Sequence, residues 1–234
     1  MRIDNNLHEK SIKILTDLIS FKTISGSDNS KLIDYCEKIL NDLNIETFKV
    51  FDDEKKRVNL FGTLKAKKTN GKKPIILSGH TDVVPVSKGW STDPFKATII
   101  DKKLYGRGSC DMKGFIACTL AYAPILTQSN LDRDFHFCYT FDEETACIGA
   151  PLLISELKKR NIKNGICIVG EPTEMKIIDA HKGMNEYTTY FGGLAGHSSK
   201  PQEGVNAIEY ASRYINKLLE IREELVKRAP KNCI

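Results

Sequence analysis

The residues best suited to chemistry are one imidazole and several carboxylates, each placed just after a run of apolar residues. In IILSGHTDVVP (residues 75–85) the run Ile75-Ile76-Leu77 breaks at Gly79 and presents His80 and Asp82. FHFCYTF (135–141) is followed by Asp142-Glu143-Glu144, with Asp142 next to Phe141, and GICIVG (165–170) ends in Glu171. Asp111 follows the glycine-rich GRGSC and precedes an apolar stretch. Singly, each has a plainer explanation: a hydrogen-bonded core histidine, a helix N-cap at Asp111, acidic turn residues elsewhere. Jointly they bring nitrogen and oxygen donors to several strand ends of one sheet, which is the donor set of a metal-assisted hydrolytic site.

The residue types divide the work. A ligating histidine usually donates its other ring N–H to a carboxylate or carbonyl, which fixes the tautomer and raises basicity. His80 is therefore assigned to the metal and Asp82 to its support. Asp111 is read as a carboxylate bridging two ions. Of the adjacent Glu143 and Glu144, one can ligate metal while the other stands beside the activated water, takes its proton and hands it to a leaving amine. Glu171 is read as a terminal ligand. Two overlapping sets result: His80, Asp111 and Glu171 for one ion, Asp111 and Glu144 for the other. Mixed imidazole and carboxylate donors without cysteine suit zinc, with cobalt or manganese also possible, and zinc is the default. GRGSCD has too few glycines, wrongly placed, for a dinucleotide or P-loop fingerprint. No histidine is positioned to activate Cys110 as a nucleophile.

These side chains need a scaffold of buried strands. Helical spacing of apolar residues predicts helices over about 7–20, 29–43, 112–126, 148–160 and 204–227. Strands are predicted at 47–51, 58–64, 75–77, 135–141 and 166–169, with further strands at 176–181 and 186–191 and a small hairpin across 97–105. Apolar strands alternating with helices indicate an α/β domain with a mixed, largely parallel sheet flanked by helices, and ligands in such sheets bind beyond the strands' carboxyl ends. The composition changes near residue 185. Residues 1–184 are read as a catalytic metal-binding domain and 185–234 as the start of a second, α+β domain.

The totals narrow the classes. A net charge of +5 arises from dispersed lysines without interleaved aromatics, so a solvated surface is favoured over a nucleic-acid patch. Seven cysteines, an odd number with no CxxC, mostly within apolar runs, read as buried free thiols of a reducing compartment. The N-terminus lacks the apolar core of a signal peptide and no run approaches a membrane span, so a cytoplasmic location is expected.

The ordered motifs LSGHTDVVPV, W-x-x-DPF, LYGRGSCDMKGF, DEET, GEPT and AGHSS, from about residue 57 onward, resemble those of the acetylornithine deacetylase, succinyl-diaminopimelate desuccinylase and glutamate carboxypeptidase family of dinuclear zinc hydrolases. The resemblance implies a zinc-exopeptidase-like catalytic domain with a lid and dimerisation domain. It implies metal ligands at His80, Asp111, Glu144 and Glu171, support from Asp82, and Glu143 as general base. It also implies that His197 stabilises the oxyanion, commonly in the partner subunit's site of a homodimer. The wording of GRGSCDMKGF, GAPLLI and AHKG looks most like acetylornithine deacetylases, implying hydrolysis of the acetamide of N-acetyl-L-ornithine in arginine biosynthesis. A desuccinylase or other N-acyl amino-acid amidohydrolase is the alternative, and a non-catalytic remnant the other. The family closes its second metal site with a downstream histidine, whereas the last histidine here is His197. The chain is therefore expected to be an N-terminal piece, poorly active and prone to aggregate through open sheet edges.

Overall fold

Three apolar runs become adjacent strands because their backbone groups find partners only in one another. The computed structural model describes residues 5–69, 71–181, 183 and 185–228. Strands β1 (Glu46–Phe51), β2 (Val58–Leu64), β3 (Ile75–His80), β6 (Phe135–Thr140) and β7 (Ile166–Val169) form one five-stranded sheet in the order β1-β2-β6-β3-β7. β3 runs parallel to both β6 and β7, whereas β1/β2 and β2/β6 are antiparallel, so the sheet is mixed in equal parts. The short link 52–57 between β1 and β2 permits only a hairpin. The long passage from β3 to β6 carries a two-stranded hairpin, β4 (Thr98–Ile100) with β5 (Lys103–Tyr105), and helix α3 (Lys113–Gln128), and so allows a parallel return.

Alternation along the strands sorts two packed layers. Leu60 of β2 and Phe137 and Tyr139 of β6 face the main core with helices α1 (Asn5–Ser20), α2 (Ser30–Asn41) and α3. In α2 the buried Leu32, Ile33, Cys36 and Leu40 lie on one helical stripe. Phe61 and Cys138, one residue out of phase, face the opposite layer with Leu153 of helix α4 (Gly149–Lys159). Pro151 falls in the first turn of α4, where its missing N–H has no intrahelical acceptor to lose.

Compact packing divides the chain into two units, one up to Met175 and one from Lys176 on. The second unit holds a 3-10 turn (Pro201–Glu203), a bridge between Leu194 and Val205, and helix α5 (Ala207–Arg228), with Phe191 against Tyr214. Residues 176–181 and 186–191 form no strand, against expectation; residue 182 and residue 184 between them are outside the described positions. Alternating sequence makes a strand only where a neighbour accepts its ladder, and here Ile177, Tyr187 and Tyr190 stay almost fully exposed. β7 departs from expectation in a second way. It was read as a buried strand, yet it forms the sheet edge and all four of its residues are exposed. The cysteines are free, as expected, but only Cys36 and Cys138 are buried; Cys110, Cys118, Cys147 and Cys167 are exposed, and Cys233 lies outside the described residues. Among the described residues no helix is long and apolar enough to cross a membrane.

One buried charge-bearing side chain ties the main core together. Lys113, at the start of α3, is fully buried, and its Nζ donates to the carbonyls of Leu18 (3.0 Å) and Phe21 (2.7 Å) at the end of α1. Each carbonyl also accepts one backbone N–H, Leu18 O from Phe21 at 3.3 Å and Phe21 O from Thr23 at 2.9 Å, so Lys113 supplies a second bond where the helix ladder ends. Burial pushes the Lys113 ammonium down to about 7. At neutral pH the amine is therefore about half uncharged, and little charge-burial penalty is relieved by removing it. Lys113→Met should thus lose more through two missing buried hydrogen bonds than it gains, lowering stability by about 1–3 kcal/mol. A lower urea midpoint with an unchanged slope is the expected reading; a more stable variant would sink this account.

Candidate metal centre

Parallel pairing of β3 with β6 and β7 sets their carboxyl ends along one edge of the sheet. The register places His80 opposite Thr140 and Ser78 opposite Val169. Glu143 therefore comes three residues past the end of β6 and Glu171 two past the end of β7, both beside His80. Gly170 makes the last step possible: a Cβ there would stand 1.9 Å from the Phe115 ring of α3, so only glycine lets the chain turn past that ring into Glu171. Asp111 enters from the loop before α3. It does not cap that helix, since Met112 occupies the cap position and no side chain closes it.

Four acids and the imidazole meet closely. His80 Nε2 lies 3.1 Å from Asp111 Oδ1 and 3.8 Å from both Glu143 Oε2 and Glu171 Oε1. Ligand atoms of His80, Asp111 and Glu171 fall within 4.8 Å of one another, and so do those of His80, Glu143 and Glu144. The first group contains the three residues assigned from sequence to one ion. The second sets Glu144 beside Glu143 and His80, where the sequence paired it with Asp111. His80 is buried, whereas the side chains of Asp111, Glu143 and Glu171 are 46%, 41% and 38% exposed, so the cluster opens to solvent on its carboxylate side.

Asp82 lies behind this cluster and does more than orient a ring. Its backbone carbonyl lies 3.0 Å and its Oδ1 3.5 Å from His80 Nδ1. The same carboxylate accepts the backbone N–H of Glu143 at 3.0 Å, that of Glu144 at 3.3 Å and the Ser25 hydroxyl at 2.7 Å. One buried anion thus fixes both the histidine and the loop that carries the two glutamates. Neither the Ser25 contact nor the backbone contacts are visible as a sequence motif, because they span 57 to 62 residues. Asp142, in contrast, turns away from the cluster: Gly26 N–H donates to its Oδ1 and the Arg57 guanidinium to its Oδ2. The cation that offsets the third acid of Asp142-Glu143-Glu144 is a guanidinium, and its signal in the sequence was only the need for some cation.

The electrostatics follow from this crowding. Burial opposes charging of His80, but the hydrogen bond and charge of Asp82 and the charge of Glu171 more than offset it, raising its pKa to about 9. Burial, with Asp111 and Glu143 nearby, pushes Glu171 up to about 7 against the pull of His80. Glu144 is raised by burial and by Asp111. Asp82 moves the other way: burial alone would raise it, and His80, Ser25 and the Glu143 N–H hold it low. One imidazole nitrogen and several carboxylate oxygens, with no thiolate among them, fit a divalent cation such as zinc.

His197 belongs to the second unit. Its Nδ1 lies 2.8 Å from the Ser199 hydroxyl and accepts the Ser199 backbone N–H at 3.2 Å. An N–H can only donate, so the neutral ring carries its proton on Nε2 and presents a donor there.

Two outcomes are expected of metal titrations. In protein stripped by a chelator, His80 holds its proton at pH 7 and Glu171 holds about half of one, because both pKa values are raised. Zinc binding at pH 7 should therefore release between one and two protons, and the release should fall away as pH rises past about 9; calorimetry in buffers of different ionisation enthalpy reads this directly. Asp82→Asn exchanges one acceptor oxygen for a donor facing other donors. Zinc affinity should drop about 10–100-fold, and an unchanged affinity in a competition titration would remove Asp82 from its supporting place.

Comparison with known proteins agrees with this arrangement. Residues 76–228 match the model of Peptidase family M20/M25/M40. The acetylornithine deacetylase of Aliivibrio fischeri (strain MJ11) is 35% identical over 221 residues, covering 90% of this chain and 55% of the relative. That of Buchnera aphidicola subsp. Schizaphis graminum is 37% identical over 216 residues, with 90% and 55% covered. The chain thus spans about half the length of these curated relatives. Among solved structures, a tripeptidase from Staphylococcus aureus subsp. aureus mu50 aligns with a TM-score of 0.63 at 18% identity, over 89% of this chain and 56% of that one. The M20 family metallo-carboxypeptidase Sso-CP2 from Sulfolobus solfataricus aligns with a TM-score of 0.58 at 22% identity, over 72% and 37%. These two likenesses establish the fold, and the family match across most of the sheet and its strand-end acids establishes the lineage: the chain belongs to Peptidase family M20/M25/M40.

Proposed function

We propose that this chain carries the metal-binding half of an amidohydrolase that cleaves the N-acetyl amide of N2-acetyl-L-ornithine to L-ornithine and acetate, a step of arginine biosynthesis. The observation that supports it most is the meeting of His80 with Asp111, Glu171, Glu143 and Glu144 at the carboxyl ends of three parallel strands. The similarity to acetylornithine deacetylases supports this substrate among N-acyl amino acids. In this reading His80, Asp111 and Glu171 hold one ion, Asp111 and Glu144 contribute to a second, and zinc is the metal, with cobalt able to replace it. Residues 1–184 make the catalytic domain and 185–234 begin a lid through which the enzyme forms a homodimer in the cytoplasm.

Bound there, zinc supplies Lewis acidity toward the amide carbonyl and makes water a usable nucleophile near neutral pH. The chain's own residues then have distinct tasks. Glu143, open to solvent and beside His80, takes a proton from the attacking water and returns it to the nitrogen as the C–N bond breaks. One water is consumed, and a carboxylate and an amine leave. Asp82 keeps the His80 ring and the Glu143 backbone in fixed relation throughout, so the base does not drift from the ligand. The family resemblance implies that His197 stabilises the developing oxyanion, commonly in the partner subunit's site, and a proton on Nε2 suits it to donate there.

The test uses the matched residues in the setting of a whole relative. A chimera joining residues 1–228 to the remaining C-terminal part of the Aliivibrio fischeri enzyme should hydrolyse N-acetylornithine in preference to N-succinyl-diaminopimelate. Glu143→Gln in that chimera should lower kcat by about 10²–10⁴-fold while zinc content stays unchanged. Loss of zinc instead would make Glu143 a ligand, and preference for the succinyl substrate would replace the proposed one.

A further inference from the structure

Three consecutive carboxylates follow β6, yet only two face the imidazole. Asp142 is 1% exposed and holds a left-handed backbone conformation, φ +52°. Aspartate is one of the few residues that tolerates this region. Its Oδ1 accepts the Gly26 N–H at 2.8 Å, its Oδ2 receives Arg57 Nη1 at 2.5 Å, and its backbone carbonyl accepts the Ile148 N–H at 3.1 Å. Arg57 does not float. Its Nε donates to Asp52 Oδ2 at 2.8 Å, and its guanidinium lies 5.4 Å from the centre of the Phe141 ring. Asp52 in turn accepts the N–H groups of Lys56 and Arg57 at 2.8 and 3.0 Å. The guanidinium is therefore anchored in the β1–β2 turn and reaches from there to the loop that follows β6.

We propose that the Arg57–Asp142 pair is a positioning device that sorts the acids of this loop. By neutralising Asp142 behind the site, Arg57 withdraws one of three adjacent carboxylates from the cluster and leaves Glu143 and Glu144 to face His80. Without the guanidinium, Asp142 is a buried, uncompensated carboxylate. Among the described residues His80 lies beside this loop, and a cation held at the site would add positive charge within its reach. Asp142 then competes with Glu144 for that cation and disturbs the backbone that Asp82 holds. This rests on the reading of Glu144 as a ligand and Glu143 as the base.

The experiment titrates Co²⁺ into the whole chain and into Arg57→Met, Arg57→Lys, Asp142→Asn and Arg57→Met/Asp142→Asn. Visible absorption reports cobalt coordination and circular dichroism reports folding. Arg57→Met should bind Co²⁺ about 10–100-fold more weakly, with an altered visible band and an unchanged helical signal. Asp142→Asn and the double variant should both bind within about threefold of the parent, since close-coupled substitutions cancel when the shared charge is removed; Arg57→Lys should fall between. Should Arg57→Met not fold, the comparison of the double variant with Asp142→Asn carries the same question. Parent-like binding by Arg57→Met, or a double variant as weak as the single one, would overturn the positioning role while leaving the metal site intact. Failure of the unaltered chain to bind Co²⁺ would overturn the metal-site reading itself and this inference with it.

Discussion

The site depends on how one buried anion is satisfied. Asp82 is 2% exposed, and a carboxylate taken out of water is tolerated only when hydrogen bonds replace its hydration. The chain supplies those bonds from two distant segments: the hydroxyl of Ser25 after α1, and the amides of Glu143 and Glu144 after β6. The side chains attached to those amides are the acids the chemistry needs. Solvating Asp82 and placing the two glutamates are therefore one event, and His80 is held by the same residue. A loop that would otherwise be free after a strand acquires the definition of the sheet.

The sheet adds the second constraint. Three parallel strands ending together offer a shared edge, but α3 must come close enough for Asp111 to reach His80. Close approach is secured by absent side chains. A Cβ at Gly79 would press on Ile116 and Met112 of the α3 start at 3.1 and 3.2 Å, and one at Gly170 would enter the Phe115 ring. Lys113 then locks the same end of α3 to the end of α1. The acid from the α3 loop and the acid beyond β7 converge because backbone and helix are nearly in contact there.

This explains which parts were legible in sequence. β3 and β6 were readable because an apolar run in a buried strand has one meaning and period-two alternation sorts its faces. His80, Asp111, Glu143, Glu144 and Glu171 were readable because their types are costly to leave unexplained at strand ends. The N-cap explanation of Asp111 failed on a local detail, the cap position falling one residue later at Met112. Lys113, Arg57, Ser25 and Asp142 were not readable as a working set, since these partners lie 57 to 116 residues away and nothing in their neighbours announces them. β7 and residues 176–181 and 186–191 depart from expectation for the complementary reason. An apolar or alternating pattern states what a segment would do with neighbours on its faces or edge, and those neighbours are not encoded in the segment.

The remaining charges bear on what the cluster is for. With Asp82 solvated by amides and Asp142 matched to Arg57, the acids Asp111, Glu143, Glu144 and Glu171 still face a single imidazole. Carboxylates this close repel one another, although solvent at the half-exposed acids screens part of that repulsion. The molecule's own response is to gather protons: His80 is raised to about 9 and Glu171 to about 7, and Glu144 is raised as well. Fold stability alone does not call for such an arrangement, because replacing any one of these half-exposed acids by a neutral residue would relieve it. A divalent cation relieves it at once, and groups whose proton affinities are displaced together in an open cleft mark a functional site rather than a structural ion-pair network. The crowding of these acids around one imidazole is what a bound divalent cation would relieve.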